Sequence, residues 1–236
     1  MKINDELYVL ELPMDFGGGI WIMNLSLIVD GEHGLTLVDT GLPGQADLIE
    51  QAIAAEGLSV SDLKQIVLTH QDMDHVGSLP VLKERTDATV YAYSEEIQFI
   101  DGSRPSPKMP PPERLAENPA LAEMINAIIR VPVDVSIADG ESLPFAAGAV
   151  AIATPGHTPG HMSLYLPNTK VLITGDAMVS NNGTLQGPME MATPNMPQAL
   201  ESVKKFLDFD VATIVCYHGG LVSDDADGQI RRVAQS

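Results

Sequence analysis

The stretch THQDMDHVG, residues 69–77, sets two histidines and two aspartates within six positions, directly after the apolar run IVL. The continuous apolar character of residues 66–70 predicts a strand buried on both faces. His70 closes that strand. A histidine or aspartate buried at a strand end costs free energy unless it is paired or metal-bound. A strand ending at His70 projects the imidazole at the sheet edge, and a following loop and helix start can turn Asp72, Asp74 and His75 inward. The alternative is a helix with His70 and Asp74 one turn apart, which sits less naturally with the preceding IVLT and with Gln71 and Met73.

The chain has six histidines. Besides His70 and His75, His157 and His161 lie in TPGHTPGH and His218 lies in YHGG. Only His33 occupies an ordinary turn, where a solvated imidazole needs no explanation. Asp39 in TLVDTG and Asp176 in LITGDA also end apolar strands. Scattered surface polar residues would not repeatedly choose strand ends. Imidazole and carboxylate are ligand types suited to zinc, iron or manganese, and two such ions gather about this many side chains.

Around these motifs the chain reads as α/β. Residues 8–12, 25–30 and 35–39 are predicted strands, with DGEHG, 30–34, as the turn between the last two. Residues 41–57 read as a turn and an amphipathic helix with Leu48, Ile49, Ala52 and Ile53 at helical spacing. A helix follows over 78–85, a strand over 88–94 and a short helix over 95–100. Residues 101–119 carry six prolines and little periodicity, and 120–130 read as a helix. The segment 101–130 is therefore an excursion from one domain spanning 1–236, and a long loop in a compact domain is usually functional or mobile. Strands return at 133–138, 150–155, 162–167, 171–176 and 211–218, with a helix over 197–209 and a polar tail from Asp224. Two similar halves of strands and helices favour a double sheet covered by helices. LTLVDTG and KVLITGD carry a weak echo of an internal duplication.

Composition narrows the partners. The formal charge is -19 and hydrophobic residues make up 44% of 236 positions. That suffices for a core, while an acidic surface repels phosphate backbones and anionic membranes, so neither nucleic acid nor membrane is expected as partner. One cysteine, Cys216, allows no intrachain disulfide. No apolar run approaches the roughly 20 residues of a membrane span, and acids stand where a signal peptide needs apolar residues. A cytoplasmic location is expected; a homodimer is left open.

THQDMDHVG, TPGHTPGH, LITGDA and CYHGG, with LVDTG ahead of them, resemble in order and spacing the metallo-β-lactamase superfamily of metallo-hydrolases, over residues 35–220. The resemblance implies a four-layer αββα sandwich with a binuclear site at one edge. It places His70, Asp72 and His157 at metal one, Asp74, His75 and His218 at metal two, and Asp176 between them. It makes His161 a neighbour of the ligands and Asp39 a carboxylate that orients them. The family cluster usually has histidine where this chain has Asp72. Zinc is the expected metal, and the added carboxylate should raise the preference for iron or manganese at that site.

Such a site implies a metal-dependent hydrolase in which a bridging hydroxide attacks a carbonyl or phosphorus centre, with Asp74 and Asp176 closest to the chemistry. Cys216, on an apolar strand, reads as a small core residue. The rim segments 13–21, 106–112 and 177–196 supply Phe16, Trp21, Met109 and Met178 as candidate substrate contacts for an adaptable apolar pocket. Lys108, and Arg104 just ahead of the second segment, are the few cations there, which favours a small neutral ester or lactone. The alternatives are β-lactamase or glyoxalase II-like thioesterase activity, a di-iron redox protein, and a metal-bound binding protein without turnover.

Overall fold

The structure, a computed structural model, describes residues 1–15, 19–126 and 130–235. The first sheet runs β1 (Leu7–Asp15), β2 (Ile20–Asp30), β3 (Gly34–Val38), β4 (Leu63–Leu68), β5 (Thr89–Tyr93) and β6 (Val135–Ile137), in that spatial order. β1, β2 and β3 pair antiparallel; β3 to β6 are parallel. The parallel steps need crossovers. Helices α1 (Ala46–Ala55), α2 (Met73–Val76) and α3 (Leu79–Thr86) lie in two of them, and α4 (Ile97–Ile100), α5 (Pro112–Glu117) and α6 (Pro119–Asn126) lie between β5 and β6.

The second sheet contains β7 (Val150–Ala153), β8 (Met162–Leu166) and β9 (Val171–Ile173). A separate hairpin of β10 (Val179–Asn181) and β11 (Thr184–Gln186) follows, then α7 (Met196–Val203), β12 (Thr213–Cys216), β13 (Gly220–Val222) and α8 (Ala226–Ala234). The spatial order is β13-β12-β9-β8-β7, with β9 and β12 parallel.

Side-chain alternation turns these strands into layers. In β1, Leu7 and Val9 point one way, while Leu10, Leu12 and Met14 point the other. The first set joins Ile28, Val38 and Val67 against Met162, Leu164 and Val215 of the second sheet. The other face of the first sheet packs Leu25, Leu37 and Ile66 on Ile49 and Ile53 of α1 and on Leu79 and Leu82 of α3. The outer face of the second sheet packs Leu172, Ile214 and Cys216 on Val203, Phe206, Ile230 and Val233. Helix, sheet, sheet, helix is the resulting order. A one-residue slip in either sheet would turn such a set to the wrong face, and each fully buried aliphatic side chain is worth about 1.5–3 kcal/mol.

The expected strands and helices recur with shifted ends. The turn at 30–34 closes β2 onto β3, with Asp30 opposite Gly34. The strand expected over 66–70 starts at Leu63 and stops at Leu68, so His70 stands in the loop beyond it. In α1, Leu48 is 40% exposed and Ile49 and Ile53 alone of the four marked positions are fully buried. The helix expected over 197–209 tightens to a 3-10 turn at Lys204–Asp208. Residues 127–129 of the helix expected over 120–130 fall outside the described residues, as does Phe16. The long arm by which β1 and β2 extend to Asp15 and Ile20 was not expected, nor were β10, β11 and β13.

Candidate metal centre

The clustered side chains all follow strands that point one way within their sheet. Asp39 follows β3, the 70–75 segment follows β4, His157 follows β7, Asp176 follows β9 and His218 follows β12. β3 and β4 are parallel, β9 and β12 are parallel, and β7 has the direction of β9 because each is antiparallel to β8. Sequence-distant side chains therefore meet at one edge.

Their ligand atoms fall into three overlapping groups. His70, Asp72 and His157 form one; Asp74, His75 and His218 form a second; His70, His75 and Asp176 form a third. His157 Nε2 stands 3.2 Å from Asp72 Oδ2 and 3.3 Å from Asp176 Oδ2. His218 Nε2 is 3.3 Å from Asp74 Oδ2 and 3.5 Å from Asp176 Oδ2. His75 Nε2 is 3.3 Å from Asp176 Oδ1. Asp176 thus faces both triads.

The donor set fits divalent cations. Nε2 of His70, Nε2 of His75 and Oδ1 of Asp176 are buried and make no hydrogen bond among the described residues. Buried polar atoms left unpaired are costly and rare, and here they converge on common points. Burial and the neighbouring His75 push the His70 imidazole down to about 4, which leaves it neutral at pH 7. Against burial, Asp176 and Asp74 draw protons onto His218 and raise it to about 9. Against burial again, Asp176, Asp39 and Asp74 raise His75. A divalent cation satisfies the same carboxylates and competes with those protons.

A surrounding layer holds these groups in place. The Asp39 carboxylate accepts the Thr69 backbone N–H at 2.8 Å and lies 2.8 Å from His75 Nδ1, which turns Nε2 inward. Asp39 itself adopts a left-handed φ of 63°, a conformation that aspartate tolerates better than most residues. His161 Nε2 accepts the Asp176 backbone N–H at 3.0 Å, while its Nδ1 is 2.8 Å from Thr154 Oγ1. His161 therefore secures the loop of Asp176 and belongs to none of the three groups. Gly156 and Gly175 precede His157 and Asp176; both have positive φ, and a Cβ would strike Ala199 or His161 respectively.

Three contributors carry little or no sequence signal. Glu96 is fully buried and accepts N–H groups from Gln71 at 3.0 Å and Gly160 at 2.8 Å, so it ties together the two loops that carry the first triad. Burial pushes its carboxyl up to about 7. The Tyr217 hydroxyl donates to the Asp74 carbonyl oxygen, and its ring stacks 3.8 Å from His75; adjacency to His218 was the available hint. Lys108 reaches in from the proline-rich excursion, with Nζ 2.5 Å from Asp72 Oδ2 and 2.8 Å from His157 Nε2.

The candidate substrate contacts separate. Trp21, 53% exposed, joins Ile20, Ile22, Met189 and His218 around a cavity of about 980 Å³. Met109 lines a second cavity, of about 270 Å³, beside Asp72 and Lys108. Met178 is corrected: it is fully buried in the core under α7 and α8 and lines neither cavity, because the hairpin β10–β11 carries the chain outward only after it. Cys216 is also in that core, and burial pushes its thiol up to about 12.

An αββα sandwich bearing clustered histidines and aspartates at one edge defines a class of metal-dependent hydrolases. The family model described as metallo-beta-lactamase superfamily matches residues 19–218, and the chain belongs to that superfamily. A Bacillus subtilis (strain 168) protein named "Probable metallo-hydrolase YflN" is 30% identical over 203 residues, covering 79% of this chain and 76% of the relative. The hydroxyacylglutathione hydrolase GloC of Haemophilus influenzae is 30% identical over 156 residues, 66% of each chain. The crystal structure of a metallo-beta-lactamase family protein from Thermus thermophilus matches with a TM-score of 0.69 at 26% identity, covering 99% of this chain and 80% of that one. BJP-1, a subclass B3 metallo-beta-lactamase of Bradyrhizobium japonicum, shares the fold with a TM-score of 0.72 at 21% identity, covering 100% and 89%. Among the described residues no helix is long and apolar enough to cross a membrane.

Proposed function

We propose that the chain hydrolyses a small ester or lactone with two divalent ions held by His70, Asp72 and His157, by Asp74, His75 and His218, and by Asp176 between them. The observation that carries this reading is the convergence of His70 Nε2, His75 Nε2 and Asp176 Oδ1, all buried and none with a well-formed hydrogen bond among the described residues, with only ion-pair distances of 3.3–3.4 Å between these imidazoles and Asp72 or Asp176. When bound, such a pair of ions supplies an acidified water as nucleophile and a Lewis acid for the substrate oxygen.

The chain's own residues do the rest. Asp39 fixes His75 with its Nε2 inward, and His161 fixes the backbone of Asp176. Asp74 Oδ2 stands beside His218 at the solvent side of the cluster, where it can take a proton during attack and return it to the leaving group. Its carboxylate is kept ionised against burial by His75 and His218. The buried thiol of Cys216 offers no nucleophile. The large cavity that reaches His218 has an apolar wall of Trp21, Ile20 and Ile22, suited to an apolar acyl or leaving group, and polar groups such as Asn24 and Asn181 elsewhere in its lining.

A thioester is the second reading, supported by the similarity to proteins named hydroxyacylglutathione hydrolase. Zinc remains the expected metal, with iron or manganese favoured by Asp72. The test is a panel of lactones, oxygen esters, thioesters, phosphodiesters and β-lactams on protein loaded with zinc, iron or manganese. Hydrolysis of lactones or esters that disappears in an Asp176→Ala, His157→Ala double variant supports the reading. Undiminished activity in that variant, or none on any ester or lactone with both ions bound, rejects it.

A further inference from the structure

We propose that Lys108 and Arg130 form an anion-binding subsite beside the candidate metal centre, so that the substrate carries a carboxylate near its scissile bond; the proposal rests on the hydrolase reading above. The scarcity of cations in the rim segments predicts a neutral substrate, but the fold brings two cations to one cavity.

Most cations of this acidic chain sit on its surface against exposed carboxylates, as in Lys170–Asp210, Lys204–Glu201 and Arg85–Asp47. Lys108 is different. Its side chain is only 17% exposed, and its ammonium lies against Asp72 Oδ2 and His157 Nε2. Those are the lone pairs a divalent ion would need. An ammonium and a metal ion cannot both occupy the point between Asp72 Oδ2 and His157 Nε2, so loading of the first triad displaces Lys108 from His157 and from its present seat on Asp72. The lysine stays local, because a turn at Ser106 holds its backbone: the Lys108 N–H donates to Ser106 Oγ at 3.1 Å and Met109 N–H to the Ser106 carbonyl at 3.0 Å.

The displaced ammonium faces the cavity of about 270 Å³ that Arg130 also lines. Arg130 donates to the Phe99 carbonyl oxygen at 3.3 Å and has no carboxylate partner among the described residues. The acids of this cavity, Asp72 and Asp74, are both candidate ligands, and bound ions offset their charge. Besides those acids the lining holds the two cations, the neutral polar Gln71 and Ser106, and apolar side chains including Met109 and Pro110. A carboxylate suits that setting through charge-assisted hydrogen bonds. The wide cavity on the His218 side, with Trp21, Ile20 and Ile22 on its wall, is left for the other end of the substrate.

The test uses the metal-loaded protein and two probes of similar length, butyrate and glutarate, titrated calorimetrically. Both offer one carboxylate to the metals; only glutarate offers a second. Wild type is expected to bind glutarate at least roughly tenfold more tightly, the worth of one charge-assisted contact. Lys108→Met should bring that ratio close to unity, Lys108→Arg should keep most of it, and Arg130→Gln should lower it in part. Metal content is measured for each protein, and the Arg130 variant decides the matter if Lys108→Met does not fold. A wild-type ratio near one, or a ratio unchanged in both Lys108→Met and Arg130→Gln, overturns the subsite. The hydrolase reading fails by a different result, the absence of turnover on the ester and lactone panel, whatever these ratios are.

Discussion

The carboxylate of Asp39 lies 2.8 Å from Nδ1 of His75, although the two are 36 positions apart in the chain, and both side chains are shielded from solvent. That contact selects the tautomer and aims Nε2 at the second triad. In Asp39→Asn an amide must face either His75 or the Thr69 backbone N–H with a donor. Affinity for zinc should fall by about 10–100-fold, in line with other outer carboxylates of metal sites. Equilibrium dialysis against zinc reads this directly, and unchanged affinity would remove Asp39 from its orienting role.

Removal of metal should abolish turnover and loosen the fold together. The triads set carboxylates and imidazoles within one cluster, and ligands that bind only the native state stabilise it by mass action. At a free metal level about 100-fold above Kd the gain is about 2.7 kcal/mol, or roughly 5–10 °C in Tm for a chain of this size. Chelation followed by readdition of zinc, monitored by calorimetry, should lower and then restore Tm. A Tm indifferent to chelator would count against metal binding by these residues.

On the proposed ligand set, Asp72 should set the metal preference of the first triad. Replacing it with histidine exchanges a hard oxygen ligand for a borderline nitrogen. Asp72→His should raise the zinc-to-iron ratio by several-fold in protein expressed with both metals available. Elemental analysis decides the point, and an unaltered ratio would mean that Asp72 does not contact the metal.

Glu96 should make stability fall with rising pH. Its carboxyl is pushed by burial from the usual carboxylate range up to about 7. Between those limits the unfolded chain has lost the proton while the native chain retains it, so unfolding releases one. The contribution is full below the unfolded value and declines by up to about 1.4 kcal/mol per pH unit until the folded value is reached. Glu96→Gln removes this slope. Denaturant melts of both proteins between pH 4.5 and 7.5 should differ in slope across that range; parallel curves would show that Glu96 does not titrate in this window.

Trp21 tests the wide cavity. More than half of its surface is exposed, so its loss should change stability by no more than about 0.5 kcal/mol. Trp21→Ala should instead raise KM for esters with long acyl chains by roughly tenfold, the worth of a large apolar contact, with less effect on acetate esters. Equal KM changes for short and long chains would place the acyl group elsewhere.

The parts of this protein legible in the sequence were those written by local physics. Short apolar runs marked most strands, and DGEHG marked the turn from β2 to β3. Paired charges and histidines at strand ends marked the residues that meet in the three groups, since a polar side chain in such a place needs a partner. Order and spacing of those motifs carried the family.

What only the tertiary structure decided depends on contacts between segments far apart in the chain. SEEIQ gives no hint that Glu96 clamps the loops of Gln71 and Gly160. A methionine at 178 reads the same whether it faces a cavity or a core, and here the packing of α7 and α8 buries it. Lys108 reads as one surface cation in a proline-rich excursion, yet it lies 2.5 Å from an Asp72 that is 36 residues away. Periodicity reports which face of an element is apolar; it cannot report which other element that face, or a long flexible side chain, will meet.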